Sequence, residues 1–195
     1  MSWIESTLFW AGFPNGTSIE VLLQRPTSVV YYTKSKSDYV KDMIPKLGFE
    51  KLWEMMLEVK RIWLQFNPYG GRMDEISDND TPFPHRAGYR FLIQYSSNWK
   101  EEDGVDIENQ VNLLRKLYDS RAPYVSKNPR EAFLNYRDLD IGSNPSNFTK
   151  FQTAEIYGHK YFKNNFWRLA QVKTRVDPDN FFRHEQSIPP LNKLS

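Results

Sequence analysis

The sequence predicts an α+β fold, and three observations carry that expectation. Residues Tyr89 to Ser96 alternate Tyr89, Phe91, Ile93 and Tyr95 against Arg90, Leu92, Gln94 and Ser96, the period of a half-buried strand. Apolar residues follow helical spacing from Phe49 to Lys60 and again from Val105 to Tyr118. No internal repeat or low-complexity tract separates strands from helices, so both belong to one unit.

In chain order, Trp3 to Phe13 is an apolar run broken by Gly12 and Pro14, and Ile19 to Gln24 reads as a short strand ahead of Pro26. Val29 to Thr33 is β-branched and aromatic, hence a second strand. After Gly48, the residues Phe49, Leu52, Trp53, Met56, Leu57 and Val59 form the expected buried face of a helix. Ile62 to Asn67 is a strand that turns at Gly70 and Gly71, and the alternating strand follows. Ile107, Val111, Leu114, Leu117 and Tyr118 mark a helix ending before Pro123. One long helix is expected from about Lys150 to Thr174, with Ile156, Tyr157, Tyr161, Phe162, Phe166, Leu169 and Val172 toward its buried side. Asp177 and Asp179 around Pro178 are turn residues that close it and direct Phe181 and Phe182 into a core.

At 195 residues, with 39% hydrophobic and 15% aromatic residues, the chain can form one cored domain, or one domain and a piece of another. A formal net charge of +2 gives no field that argues for nucleic acid or an anionic membrane as partner. No apolar run approaches the roughly 20 residues that span a bilayer, and no charged region followed by an apolar one opens the chain. The absence of cysteine removes thiolate catalysis, disulfides and sulfur-ligated metals. His85, His159 and His184 have no zinc-ligand spacing, so no metal is expected. Gly12, Gly70 and Gly71 are turn glycines; no G-x-G-x-x-G pattern follows a strand, which excludes a Rossmann reading. Asn15, Asn79 and Asn147 each open a glycosylation sequon, whereas Asn144 is excluded by Pro145.

Two runs are more specific. Phe133-Leu134-Asn135-Tyr136-Arg137-Asp138-Leu139-Asp140 is followed by Val176-Asp177-Pro178-Asp179-Asn180-Phe181-Phe182-Arg183-His184-Glu185-Gln186-Ser187-Ile188-Pro189-Pro190. With Ser2-Trp3-Ile4-Glu5-Ser6, Trp10-Ala11-Gly12-Phe13-Pro14, Lys36-Ser37-Asp38-Tyr39-Val40, Phe66-Asn67-Pro68-Tyr69-Gly70-Gly71 and Phe83-Pro84-His85-Arg86-Ala87-Gly88, they resemble the C-terminal part of the berberine bridge enzyme-like family, plant FAD-linked oxidases that include the cannabinoid synthases. The resemblance implies an antiparallel sheet covered by helices, with a C-terminal helical segment that completes the FAD-binding domain of the intact enzyme. It divides the chain into part of a substrate-binding domain (1–132), a berberine-like C-terminal element (133–191) and a tail (192–195). It also implies that the histidine and cysteine that tether FAD lie in an N-terminal domain outside this chain, so the chain alone is not expected to hold FAD. An apolar surface normally covered by that domain implies low solubility in isolation. For the parent family it implies the secretory pathway, extracellular space or cell wall.

By the same resemblance Tyr136 is the catalytic base and Gln94 a substrate-facing catalytic residue. A base must take a proton while hydride leaves for flavin, and a phenol with an ordinary pKa of about 10 needs a cation or donors to do so. Arg137 is adjacent, but consecutive strand residues face opposite ways, so a partner from the absent half is equally plausible. The plainer reading of Tyr136 is a packed tyrosine with a bonded hydroxyl. Glutamine cannot accept the proton, so Gln94 positions the substrate or is a polar strand residue. Leu92 shares its face where relatives carry lysine or glutamate, which makes the substrate site more apolar. Asn135 is the candidate flavin contact, or an Asx-turn residue. Asp138 and Asp140 are expected to cap or to pair with Arg137 and solvent. His85 precedes the substrate-facing strand and reads as a buried, hydrogen-bonded histidine.

Two functions follow. The chain is the C-terminal part of an FAD-dependent oxidoreductase that oxidises a small organic substrate by hydride transfer, or it is a non-catalytic truncated remnant or glycoprotein without bound cofactor. Related enzymes act on alkaloids, cannabinoid precursors, monolignols or carbohydrates, and no protein partner is inferable.

Overall fold

A computed structural model describes residues 1–25, 31–144 and 150–191. The chain forms two compact units, residues 1–31 and residues 32–195. In the first, helix α1 (Trp3–Trp10) opens on a reciprocal cap. The Ser2 side chain accepts the Glu5 N–H, and the Glu5 carboxylate accepts the Ser2 N–H at 2.6 Å. The expected strand at Ile19 to Gln24 is instead a 3-10 turn, Ile19–Leu23, capped by Ser18. Five residues with no neighbouring strand cannot complete a ladder, and the serine offers a local alternative.

The second unit is built on a three-stranded antiparallel sheet in the order β1-β3-β2, with β1 Tyr32–Val40, β2 Ile62–Pro68 and β3 Phe91–Trp99. The strand expected at Val29 to Thr33 is displaced toward the C-terminus; Val29 and Val30 lie outside the described residues, and β1 runs through the polar stretch Lys34 to Asp38. Strand β3 bears out the alternation. Phe91, Ile93 and Tyr95 pack with Val40, Ile62 and Leu64 under helices α2 (Lys46–Glu58) and α3 (Ile107–Asp119), while Leu92 joins a separate aromatic cluster. Helix α2 buries Gly48 and Leu52 and half-buries Met55 and Met56. Phe49, Trp53 and Leu57, expected in the buried face, are exposed; the contact stripe is narrower than the apolar face.

The expected single helix at 150–174 is two helices, α4 (Phe151–Phe162) and α5 (Asn165–Val176). The break falls at Lys163, whose φ of 50° lies in the left-handed region. The turn folds α5 back on α4, so that Phe166 stacks on both Phe151 and Phe162. A β-carbon on Gly158 would meet the Phe166 ring at 2.5 Å, so only glycine permits this approach. Ile156 and Val172 are exposed, since each helix buries its own narrower face. Asp177 does end α5 and accepts the Phe181 and Phe182 N–H groups. The two phenylalanine rings point outward instead of entering a core, at 74% and 76% exposure.

Candidate active site

The two faces of the sheet differ in chemistry. Residues directly opposite in an antiparallel ladder share a face, and Gln94 lies between Ser37 of β1 and Gln65 of β2. The same face carries Tyr39, Leu92 and Asn67 toward one end and Ser35, Ser96 and Trp63 toward the other. It is an uncharged shelf of amides and hydroxyls: Gln94 is half-buried, Gln65 exposed, and Gln65 donates to Asn67 at 2.7 Å. Asn67 Nδ2 is buried without a partner among the described residues.

One end of the shelf is roofed by the turn that holds Asn135 and Tyr136. The Phe133 N–H donates to Ser37 Oγ at 2.8 Å, and the Tyr136 N–H to the Phe133 carbonyl at 3.0 Å. The Phe133 and Tyr136 rings meet edge to face, with centroids 5.1 Å apart, over Tyr39, Tyr89 and Leu92. Tyr136 is half-buried, and among the described residues its hydroxyl makes no hydrogen bond. Leu92, at 2% exposure, lies beneath the turn and not on the open shelf. Asn135 faces solvent.

Tyr136 and Arg137 lie in a turn and its exit rather than on a strand, so the expectation of alternating faces does not apply to them. Arg137 is exposed, 4.0 Å from Glu185. Asp138 and Asp140 pair elsewhere than with Arg137. Asp138 is buried between Lys34 and Lys36 at 2.8 and 2.6 Å, and Asp140 is bound by Lys36 and a forked Arg115. Arg115, joined by Lys36 and Lys34 and opposed by burial, holds the Asp140 carboxyl far below the usual carboxylate range. The lysines lie roughly 100 residues away in sequence and Arg115 lies 25 away from Asp140, and no local pattern announces them.

The aromatic cluster has a buried centre of Tyr39, Tyr89 and Leu92. Burial drives the Tyr39 and Tyr89 phenols well above the ordinary tyrosine value, assisted at Tyr89 by the Glu131 carboxylate it donates to at 2.9 Å. His85 is fully buried, as expected. It stacks on Tyr39 at 4.0 Å and bonds the Tyr161 carbonyl through Nε2 at 3.0 Å, while Nδ1 has no partner among the described residues. Burial pushes its pKa down to about 3.

Hollows of about 770, 570 and 380 Å³ are lined respectively by residues of 1–19, by Leu134 with Phe181 to Ile188, and by Glu58 with Asp103 to Leu113. On the shelf itself, Gln65 and Trp63 are exposed. Among the described residues no group of three His, Asp or Glu side chains could hold a metal, and no helix is long and apolar enough to cross a membrane. Asn15 and Asn79 are exposed; Asn147 lies outside the described residues.

Residues 132–189 match the family model "Berberine and berberine like". The whole chain is 55% identical to berberine bridge enzyme-like 7 of Arabidopsis thaliana, spanning 36% of that protein, and 98% of it is 56% identical to berberine bridge enzyme-like 3, spanning 35%. Among solved structures, berberine bridge enzyme from Eschscholzia californica superposes with a TM-score of 0.88 at 32% identity, over all of this chain and 40% of that one. Phl p 4, a grass pollen allergen with glucose dehydrogenase activity, gives a TM-score of 0.87 at 40% identity, over 99% and 40%. The chain thus spans little more than a third of the curated relatives it matches.

Proposed function

We propose a function from the premise that the chain belongs to the berberine bridge enzyme-like family, a family of FAD-linked oxidoreductases. It supplies the substrate-side wall of such an enzyme, in which a small organic substrate lies on the shelf of Gln94, Gln65 and Asn67 and gives up a proton to Tyr136. One observation carries this reading: a phenol with no hydrogen-bond partner is held over the sheet face that bears Gln94.

The residues present fit one part of the cofactor's surroundings and not the whole. The amides of Gln94 and Asn135 can donate to and accept from the edge of a planar ring or a substrate. Among the described residues there is no glycine-rich phosphate cradle, and the chain has no cysteine for attachment. The dinucleotide's phosphates and tether therefore belong to the opposite wall. Bound FAD supplies a hydride acceptor. On this chain, Gln94 orients the substrate by hydrogen bond and Tyr136 accepts its proton; Leu92, sealed beneath the turn, keeps charge away from the phenol's underside. Arg137 faces away, so the donors or cation that stabilise the phenolate come from the opposite wall.

The test is Tyr136→Phe in the flavoprotein that carries this sequence, read by stopped-flow absorbance of flavin reduction. Loss of a general base slows that step by a factor on the order of 10² to 10⁴. An unchanged rate removes Tyr136 from the chemistry.

A further inference from the structure

The turn that carries Tyr136 is fastened to β1 at both ends by two adjacent residues. Ser37 Oγ accepts the Phe133 N–H at 2.8 Å, and Lys36 Nζ donates to Asp138 Oδ2 at 2.6 Å. Neighbouring side chains of a strand leave on opposite faces. A segment can meet both only if it runs along a sheet edge, and β1 is an edge strand. The Ser126 N–H already bonds the Tyr39 carbonyl at 2.8 Å on that edge. Both anchoring side chains are buried, Ser37 at 1% and Lys36 at 3% exposure, which strengthens each bond against competition from water. The Asp138 N–H is further held by the Tyr161 hydroxyl at 3.2 Å.

Between these points nothing grips the phenol itself. Its hydroxyl is free of partners among the described residues, and its ring leans on Phe133, the residue whose N–H Ser37 accepts. The position of the Tyr136 oxygen is therefore set through the backbone. Ser37 also stands directly opposite Gln94 in the ladder. One hydroxyl thus ties the turn to the strand pair that places the other proposed site residue.

We propose that Ser37 is a positioning residue that fixes the Tyr136 phenol relative to Gln94, with the Lys36–Asp138 pair securing the far end of the turn. This rests on the reading of Tyr136 as the base. Serine has a chemical reason to be here: a buried backbone N–H at the start of a turn needs an acceptor, and no strand or helix supplies one to Phe133.

The test compares Ser37→Thr with Ser37→Val, which differ by the hydroxyl and hardly in shape; Ser37→Ala serves if the branched pair does not fold. In the full chain with 3-fluorotyrosine at position 136, fluorine NMR should show one resonance for wild type and Ser37→Thr, and a shifted or multiple signal for Ser37→Val. An unmoved resonance in the valine variant overturns the proposal. In the flavoprotein, Ser37→Val should slow flavin reduction about 10- to 100-fold, as misplacement by about an ångström does, with a smaller change in KM. That loss should vanish in a Tyr136→Phe background. A loss that persists there assigns Ser37 to stability alone and overturns the proposal. Should Tyr136→Phe itself leave the rate unchanged, the base assignment falls, and the fluorine signal still decides whether Ser37 positions the ring.

Discussion

Replacing His85 by phenylalanine should flatten part of the acid sensitivity of this fold. The imidazole is fully buried, stacked on Tyr39 at 4.0 Å, and bonded to the Tyr161 carbonyl. Burial, helped by the nearby charges of Lys163 and Lys41 and opposed by that carbonyl and by Asp78, lowers its pKa from 6.5 to about 3. The unfolded chain therefore binds a proton below 6.5 that the folded chain refuses until about 3. Stability rises with pH across that window and is lost as the solution is acidified through it. At about 1.4 kcal/mol per pH unit, going from pH 7 to 4.5 costs the wild-type protein about 3 kcal/mol from this group, within a full-window limit on the order of 5 kcal/mol. His85→Phe keeps the aromatic stack but leaves the Tyr161 carbonyl without its donor, which costs about 1–3 kcal/mol at neutral pH. Urea unfolding of both proteins at pH 7 and pH 4.5 measures the difference between them. His159, His184 and every carboxylate are common to both, so their titration cancels. The variant should be the less stable protein at pH 7, and the gap should close or reverse at pH 4.5. An equal gap at both pH values would refute the argument.

Gly158→Ala places a β-carbon 2.5 Å from the Phe166 ring, which is itself fully buried. Overpacking of about 1–3 kcal/mol outweighs a helix-propensity gain of up to about 1 kcal/mol, so thermal unfolding should begin earlier; a stabilised variant would show that α5 can move away. Arg130 grips the buried Asp38 with two bonds of 2.7 Å while lying over the Tyr118 ring. Arg130→Met removes the charge partner and should cost about 3–5 kcal/mol, largely recovered by adding Asp38→Asn; no recovery in chemical denaturation would mean the ion pair is not the cause. Added FAD should leave the melting temperature of the isolated chain unchanged if, as proposed, the phosphate and tether contacts belong to the opposite wall; clear stabilisation would place a flavin-binding surface on this chain.

The parts of the fold that were legible in the sequence are those where local pattern and burial agree. Strand β3 alternates because one side meets α2 and α3 and the other meets the shelf and its roof, and α3 shows its buried stripe at Leu114, Leu117 and Tyr118. The readings that failed are those where a tertiary partner overrides the local signal. The strand expected at Val29 to Thr33 runs instead through Lys34, Lys36 and Asp38, polar residues held there because Asp138, Asp140 and Arg130 pair with them. Apolar spacing ran continuously through residues 150–174, and only the folding of Phe166 onto Phe162 and Gly158 turned it into two helices. Phe181 and Phe182 look like core residues, and face outward.

By itself the sequence determined the fold class, the motif run from Phe133 to Asp140 and the residue types available for chemistry, because these depend on local periodicity and on which side chains exist at all. Only the tertiary structure decided that Tyr136 shares a sheet face with Gln94, that Leu92 is sealed beneath it, and that Ser37 and Lys36 hold the turn between them. Those placements depend on strand register and on contacts across about 100 residues of chain, and a one-residue slip in register would have turned every one of these side chains to the other face.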